Sequence, residues 1–393
     1  MVGRAQKKID IVNKLKRIKN MKKRNIGLDL LKILSMFMIL FMHFTSRETL
    51  QADYNASEVN ALIVKLIDCF CCAAVNCYFL ITGYFLVDKK LKLNKILSIW
   101  RTVLFYTITI FILNLVIFGQ KLTMQNVAKS FFPIITEHYW FITAYIAILF
   151  LAPILNLLLK NITQKQYQYL LLILTIILVV IENIWPRTQV FNNATGISFA
   201  TVLYIYLIGG YIKLYKDKVK VRKEKYILGY IIFSIFAFIY SIIIKIVLMK
   251  SNVDVLYSLK DLSYNSVWVV LSSIMLFMYF KEVKIKNTVM QKVITSIQPL
   301  TLSVYIIHEN IFLSSMTLKA SQYQKSWMYV FYILVGLVVI YISCCIIEYI
   351  RVKLSKLIFK GKITGKIEQK LEEKIDNFLR EPEQTKAKEE LKI

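Results

Sequence analysis

Long apolar runs, each close to the length that crosses a bilayer, recur along this 393-residue chain and limit its fold more than any other feature. A transmembrane helix needs about 20 apolar residues, because each residue adds about 1.5 Å and the hydrocarbon core is about 30 Å thick. Ten runs qualify, and we predict spans at 27–46, 61–87, 96–118, 139–159, 167–184, 198–215, 226–249, 264–280, 297–316 and 327–350. The sequence therefore predicts an all-α, polytopic membrane protein with about ten transmembrane helices.

The composition agrees with this prediction. Hydrophobic residues make up 57% of the chain and charged residues only 19%, and the mean hydropathy is +0.55. A soluble domain has about 45–50% apolar and about 25% charged residues. Folded as a soluble globule, this chain would leave large apolar surfaces in water. A soluble enzyme, a disordered chain and a fibrous chain are all excluded.

The distribution of basic residues predicts the orientation. The formal net charge is +27, which in a soluble protein would suggest a nucleic acid partner. Here the four loops predicted to be cytoplasmic carry 17 Lys and Arg residues, against 8 in the five loops predicted to be outside. Residues 1–26 add ten more and only one acid. The positive-inside rule therefore predicts cytoplasmic N and C termini, with membrane lipids and no nucleic acid among the partners.

This organisation divides the chain into three parts: a basic cytoplasmic segment at 1–26, a membrane domain at 27–350 and a charged cytoplasmic tail at 351–393. The basic segment is either a topology anchor or a helix lying along an anionic leaflet. In the tail, apolar residues recur every four positions between 363 and 375. That spacing predicts an amphipathic helix.

The cysteines predict packing rather than chemistry. All six lie inside apolar runs, without the paired C-x-x-C spacing or the accompanying histidines of a zinc site. We therefore expect no metal centre and no disulfide framework, and we expect these thiols to be buried between helices.

The first run is the most informative, because it carries three ionisable residues, Asp29, Lys32 and His43. A charge near a span centre costs about 2.5–3.5 kcal/mol on insertion scales, so such residues usually face protein or water. At about 100° per residue, Lys32 and His43 lie about 20° apart around the axis and about 16 Å apart along it. Asp29 lies within about 60° of both and can pair with Lys32. We expect one polar stripe facing a water-lined passage. Taken singly, Lys32 could instead extend to the headgroups and His43 could be interfacial.

Four other residues are weaker candidates. His138 and Trp140 lie at a predicted outer interface, where aromatic side chains commonly form a belt, and the alternative for Trp140 is to position a substrate. His308 and Glu309 are adjacent, and neighbours do not share a helical face. Glu309 still needs a partner, for which Lys245 is a candidate. Three further charged residues lie near span ends, where we expect them to be solvated: Lys65, Glu182 and Glu348.

Four motifs, in order, resemble those of the acyltransferase-3 family of integral membrane acyltransferases. Lys32, followed after ten residues by His43, resembles its Arg/Lys-x10-His signature. Thr82-Gly-Tyr-Phe-Leu resembles the turn motif that ends its second span. His138-Tyr-Trp-Phe resembles the stretch that opens a central span, and Val304-Tyr-Ile-Ile-His resembles a motif of a late span.

The resemblance covers about residues 24–350 and implies a function. It implies a ten-helix core that transfers an acyl group, usually acetyl, from cytoplasmic acyl-CoA to a hydroxyl of a surface glycan, an exopolysaccharide or a lipid-linked precursor. It also implies a multi-pass protein of a bacterial plasma membrane with no bound cofactor. His43 is the expected base, and Lys32 is its basic partner in place of the commoner Arg. Arg101 is the remaining member of a paired-arginine element, since Ser98 occupies the other position.

These roles give a mechanistic hypothesis. Lys32 at the cytoplasmic mouth holds the anionic end of acyl-CoA, and Asp29 orients or neutralises it. His43 deprotonates the acceptor hydroxyl or forms an acyl-imidazole intermediate. Five residues are candidate substrate-binding residues: Arg101, Trp140, His138, His308 and Glu309.

A transporter or translocase for a lipid-linked sugar is the alternative. Secondary transporters often have paired helices broken by Gly or Pro near the bilayer midplane. Here only Pro153 lies inside a predicted span away from its ends, and the two halves show no repeat. The aligned polar stripe also disfavours a non-catalytic scaffold, so the sequence favours the enzyme.

Overall fold

A computed structural model describes residues 24–49, 58–90, 92–117, 119, 121–184, 196–216, 221–250, 263–310, 313, 323, 325–358 and 374. Within these ranges the chain is helical and contains no strand, which confirms the all-α class. Most of the predicted basic segment and the predicted amphipathic helix of the tail lie outside the described residues. The side chain of Lys245 also lies outside them.

Fourteen α-helices, numbered in chain order, make up most of the described part. They are α1 (Ile26–Thr49), α2 (Glu58–Cys71), α3 (Ala73–Leu86), α4 (Leu93–Ile117), α5 (Met124–Phe131), α6 (Trp140–Asn161), α7 (Gln164–Thr175), α8 (Glu182–Ile184), α9 (Phe199–Tyr211), α10 (Lys223–Lys250), α11 (Val267–Glu282), α12 (Thr288–Ile297), α13 (Thr301–His308) and α14 (Tyr329–Ile358). Two π-helical stretches, Ile176–Ile181 and Ile212–Lys216, follow α7 and α9, and a 3-10 turn, Gln298–Leu300, precedes α13.

Seven stretches of the described chain are long and apolar enough to cross a membrane. They are Ile26–Ser46, Val59–Leu86, Leu93–Ile117, Trp140–Asn161, Gln164–Ile181, Lys223–Ile244 and Tyr329–Ser355. The other three predicted spans correspond to the shorter helices α9, α11 and α13. A multi-pass membrane protein is therefore supported, while the total of ten spans and the cytoplasmic termini stay predictions.

Local sequence explains where several helices begin. The Thr163 hydroxyl accepts a hydrogen bond from the backbone amide of Gln166, and the Gln166 side chain accepts one from the backbone amide of Thr163, which forms a capping box at α7. The Ser198 side chain caps α9 by accepting from the amide of Thr201, and Asn287 caps α12. Pro299 lies in the first turn of the 3-10 segment, where its missing amide proton costs no hydrogen bond.

Helix α1 lies at the centre of the described bundle. It packs against α2, α3, α11, α12, α13 and α14. In the most apolar stretch of α1, 61% of the residues are buried, whereas the corresponding share is 17% to 50% in the other six candidate spans. The stripe of ionisable residues on α1 is therefore surrounded by protein, as expected from the cost of placing such groups in lipid.

Two acids expected to be solvated are instead buried. The carboxylate of Glu348 on α14 accepts hydrogen bonds from Arg351 at 2.6 and 2.7 Å and from the Tyr106 hydroxyl on α4 at 2.7 Å. Glu182 is also buried. The expectation was wrong for both residues, because neighbouring helices cover these positions, and sequence distance from a span end does not report that packing.

A glycine contact brings α3 and α9 together. A Cβ on Gly83 would overlap the backbone carbonyl of Tyr206, and one on Gly209 would overlap the carbonyl of Leu80. Small residues of this kind let membrane helices approach closely. The motif that begins at Thr82 therefore lies in the last turns of α3, and its glycine allows close helix packing.

We predict that Gly83→Ala destabilises the protein by about 1–3 kcal/mol, because a methyl group at this contact must push two backbones apart. Gly229→Ala is the matched control. Its added methyl would meet only the flexible Met275 side chain at 3.1 Å, and alanine is the better helix former. Thermal unfolding in detergent should therefore show a lower midpoint for Gly83→Ala alone. Equal midpoints for the two variants would contradict the packing account.

Candidate functional site

The end of α13 meets the C-terminal half of α1 at His43. The His43 Nδ1 atom lies 3.0 Å from Nε2 of His308 and 2.7 Å from Oε2 of Glu309. Helix α13 ends at His308, and Glu309 leaves the helical conformation with φ −89° and ψ 0°. The two adjacent residues therefore reach the same ring. The expectation that they would point apart was wrong, because it assumed that the helix continued.

The hydrogen bonds of these residues fix the proton positions. His308 Nδ1 lies 2.6 Å from the carbonyl oxygen of Val304. A carbonyl only accepts, so His308 Nδ1 carries a proton and its Nε2 is an acceptor when the ring is neutral. His43 Nδ1 faces this acceptor and the Glu309 carboxylate, so it is the donor. The remaining lone pair of neutral His43 is therefore on Nε2, on the opposite side of the ring.

The ligand atoms of these three residues all lie within 4.8 Å of one another, a spacing that could also hold an ion. The contacts between their side chains are those of hydrogen bonds, and we call His43, His308 and Glu309 the triad.

Aromatic side chains surround the triad. The Tyr305 ring centroid lies 6.3 Å from that of His43 and 5.9 Å from that of His308. The Tyr139 hydroxyl donates to the carbonyl of Ile306 and accepts from the amide of Asn310, both at 2.9 Å. The chain just before α6 is thereby attached to α13, next to the triad.

The two predicted outer residues lie beside this attachment. The His138 ring stacks on Tyr139 with centroids 4.3 Å apart, and its Nδ1 donates to the carbonyl of Lys129 at 3.1 Å. Burial lowers the pKa of His138 below its ordinary value, so this ring is neutral at neutral pH. Trp140 begins α6 and stacks on Tyr264 with centroids 6.2 Å apart.

The N-terminal end of the stripe is an ionic cluster. Asp29 is buried and pairs with Arg24, and its other oxygen lies 3.7 Å from Nζ of Lys32. The Tyr78 hydroxyl donates to the backbone carbonyl of Lys32 at 2.7 Å, which holds this turn of α1 against α3. The charges that act on Lys32 are those of Asp29, Lys95 and Arg24.

A cavity of about 230 Å³ opens next to this cluster. Lys89, Lys90, Lys92 and Lys95 line it, over an apolar floor that includes Leu149. Lys95 also donates to the Tyr145 hydroxyl at 2.9 Å. Arg101 lies exposed on the same helix as Lys95, and its predicted substrate role stays a prediction.

The middle of the stripe is closed. At about 100° per residue, Met36 and Ile39 share the face of Lys32 and His43. Both are buried, with 2% and 3% of their surface exposed, whereas the side chains of Lys32 and His43 are 22% and 20% exposed. Both ends of the stripe are therefore partly exposed at the protein surface, and packed side chains fill the section where a water-lined passage was expected.

Comparison with protein families identifies the class of this bundle. The acyltransferase-3 family model, described as an acyltransferase domain, matches residues 25–349. The chain belongs to the acyltransferase-3 family. Comparisons with curated proteins and with solved structures gave no match.

The acyltransferase-3 motifs occupy connected positions in the structure. The motif of α1 ends at His43, and the late motif ends at His308, whose ring lies against His43. Sequence reasoning had selected both residues and Glu309 but had not paired them. It had counted Arg24 and Lys95 only as topology determinants, and neither the spacing nor the residue types of these two distinguished them from the other basic residues nearby.

We predict that Asp29→Asn destabilises the protein by about 1–3 kcal/mol, because Arg24 and Lys32 lose the carboxylate between them. Breaking a fully buried pair costs about 3–5 kcal/mol, and the partial exposure of both cations reduces that cost. Adding Lys32→Met should recover part of the loss. The control is Glu224→Gln, which removes an exposed ion pair with Arg222 and should change little. An unchanged thermal midpoint for Asp29→Asn would show that the cluster does not stabilise α1.

Proposed function

We propose that this acyltransferase-3 protein moves an acetyl group from cytoplasmic acetyl-CoA to a hydroxyl of a cell-surface glycan or of its lipid-linked precursor. The family supplies the reaction class. The donor, the acceptor, and a bacterial plasma membrane as the location are our inferences from the arrangement of the site and from the family's usual substrates.

The main support for this proposal is that hydrogen bonds fix the orientation of the His43 ring. Glu309 and His308 accept from its Nδ1, which leaves Nε2 as the basic atom. Glu309 also offers a negative charge that stabilises the imidazolium formed when Nε2 takes a proton. Transfer to an oriented imidazole of this kind contributes typically 10²–10⁴-fold to a rate. In this proposal Nε2 removes the proton of the acceptor hydroxyl and returns it to the leaving thiolate.

The basic inner end supports an acyl-CoA donor. The nucleotide end of CoA carries several negative charges, and concentrated positive charge attracts such a ligand. Lys95 and the other lysines of the cavity lie beside Lys32 and Arg24, at the face that the positive-inside rule places in the cytoplasm. In our proposal these residues hold the phosphates, and Asp29 keeps Lys32 in position.

The acyl group then has to reach His43. Lys32 and His43 are about 16 Å apart along the helix. Met36 and Ile39 fill the stripe between them. Binding of acetyl-CoA must therefore displace the side chains of Met36 and Ile39 by a change of rotamer. At the other end Trp140 offers an aromatic face of the kind on which sugars stack.

We predict that His43→Ala lowers kcat for acetyl transfer by about 10²–10⁴-fold, because the proton acceptor is removed. Glu309→Gln keeps an acceptor oxygen and removes the charge, so kcat should fall at least about tenfold while KM for acetyl-CoA stays nearly constant. The measurement uses purified protein in liposomes, [¹⁴C]acetyl-CoA and a glycan fraction from the native cell.

The matched control is Ser46→Ala, one turn beyond His43 on α1, where the exposed hydroxyl donates to the backbone carbonyl of His43. Its activity should stay within about twofold of the parent. Full activity of His43→Ala would remove the assignment of the base. Movement of a lipid-linked sugar across the liposome membrane, with no label on the glycan, would favour the translocase alternative.

A further inference from the structure

Tyr305 differs from its buried aromatic neighbours. Only 2% of its surface is exposed, and its hydroxyl proton has no acceptor among the residues that the structure describes. Tyr139 nearby donates to one group and accepts from another, and the hydroxyls of Tyr78 and Tyr106 also have partners. A buried hydroxyl without a partner costs about 1–3 kcal/mol, so it calls for an explanation.

The surroundings of this hydroxyl are those of the triad. The Tyr305 ring lies beside His43 and His308, and it packs edge-on against Phe141 with centroids 5.5 Å apart. The backbone amide of Phe141 is a donor to its hydroxyl oxygen. The hydroxyl proton, which has no acceptor, is therefore at the first turn of α6, on a ring that lies beside the candidate base.

The first turn of α6 also offers hydrogen-bond donors. The first amides of a helix have no partner inside the helix, and the helix dipole makes this end positive. Tyr139, the residue before α6, provides no side-chain cap. The amide of Phe141 is one of these first-turn groups. Two hydrogen-bond donors, one from a side chain and one from the backbone, thus lie next to each other, and the ring that carries the first lies beside that of His43.

We propose that the Tyr305 hydroxyl and the Phe141 amide bind the oxygen of the thioester carbonyl during acyl transfer. This inference rests on the proposed function. The acceptor oxygen forms a bond to the carbonyl carbon while its proton moves to His43 Nε2. The carbonyl π electrons become an oxyanion, which accepts hydrogen bonds from Tyr305 and Phe141. The C–S bond then breaks, and the CoA thiolate takes the proton from His43. Tyr305 keeps its own proton throughout.

Tyr305→Phe tests this role, because it removes the donor and keeps the ring. Loss of one such donor lowers kcat by about 10²–10³-fold. KM for acetyl-CoA should change less than about threefold. The thermal midpoint should be unchanged or higher, because the variant no longer buries an unpaired hydroxyl. The assay follows [¹⁴C]acetyl-CoA with the native glycan fraction as acceptor.

Tyr139→Phe is the matched control, since it removes a neighbouring hydroxyl whose partners are both present. It should lower the thermal midpoint without the selective fall in kcat. If the parent transfers acetyl and Tyr305→Phe does so at the same kcat, this inference is wrong while the proposed function stands. If the parent transfers no acetyl from acetyl-CoA, both are wrong.

Discussion

The hydrogen bond from His43 Nδ1 to the end of α13 is the interaction on which the rest of the site depends. It joins the first helix of the membrane domain to a segment more than 250 residues later, and it selects one tautomer of the ring. Glu309 can make it only because α13 stops at His308. A helix continued by one turn would carry the carboxylate away and leave the imidazole without an orienting charge.

The architecture around α1 follows from the cost of its polar residues. Asp29, Lys32 and His43 cannot face lipid cheaply, so the helix that carries them is enclosed by six others. The two ends of the stripe are then chemically distinct. The end at Lys32 is basic, and the end at His43 is aromatic and contains the candidate base. The buried Met36 and Ile39 separate the two ends.

The sequence predicted the helical class, the positions of seven long spans and the residues of the stripe, because all three follow from local periodicity and hydropathy. It also selected His308 and Glu309. The sequence did not pair these two residues with His43, since that contact depends on where α13 ends. Hydropathy does not locate the end of a helix to within one turn. The burial of Glu348 was not predicted either, because its partner Tyr106 lies on a helix that is distant in sequence. Whether a buried hydroxyl such as that of Tyr305 has a hydrogen-bond acceptor depends on tertiary packing, which the sequence does not show.

The tautomer of His43 is the most direct test of this account. The chain has three histidines, so ¹⁵N-histidine labelling in bilayers gives a spectrum that single substitutions at positions 43, 138 and 308 can assign. The account predicts that the neutral ring of His43 carries its proton on Nδ1 and a lone pair on Nε2, and that Glu309→Gln shifts the Nδ1 signal. A proton found on Nε2 of His43, or a spectrum unaffected by Glu309→Gln, would contradict it.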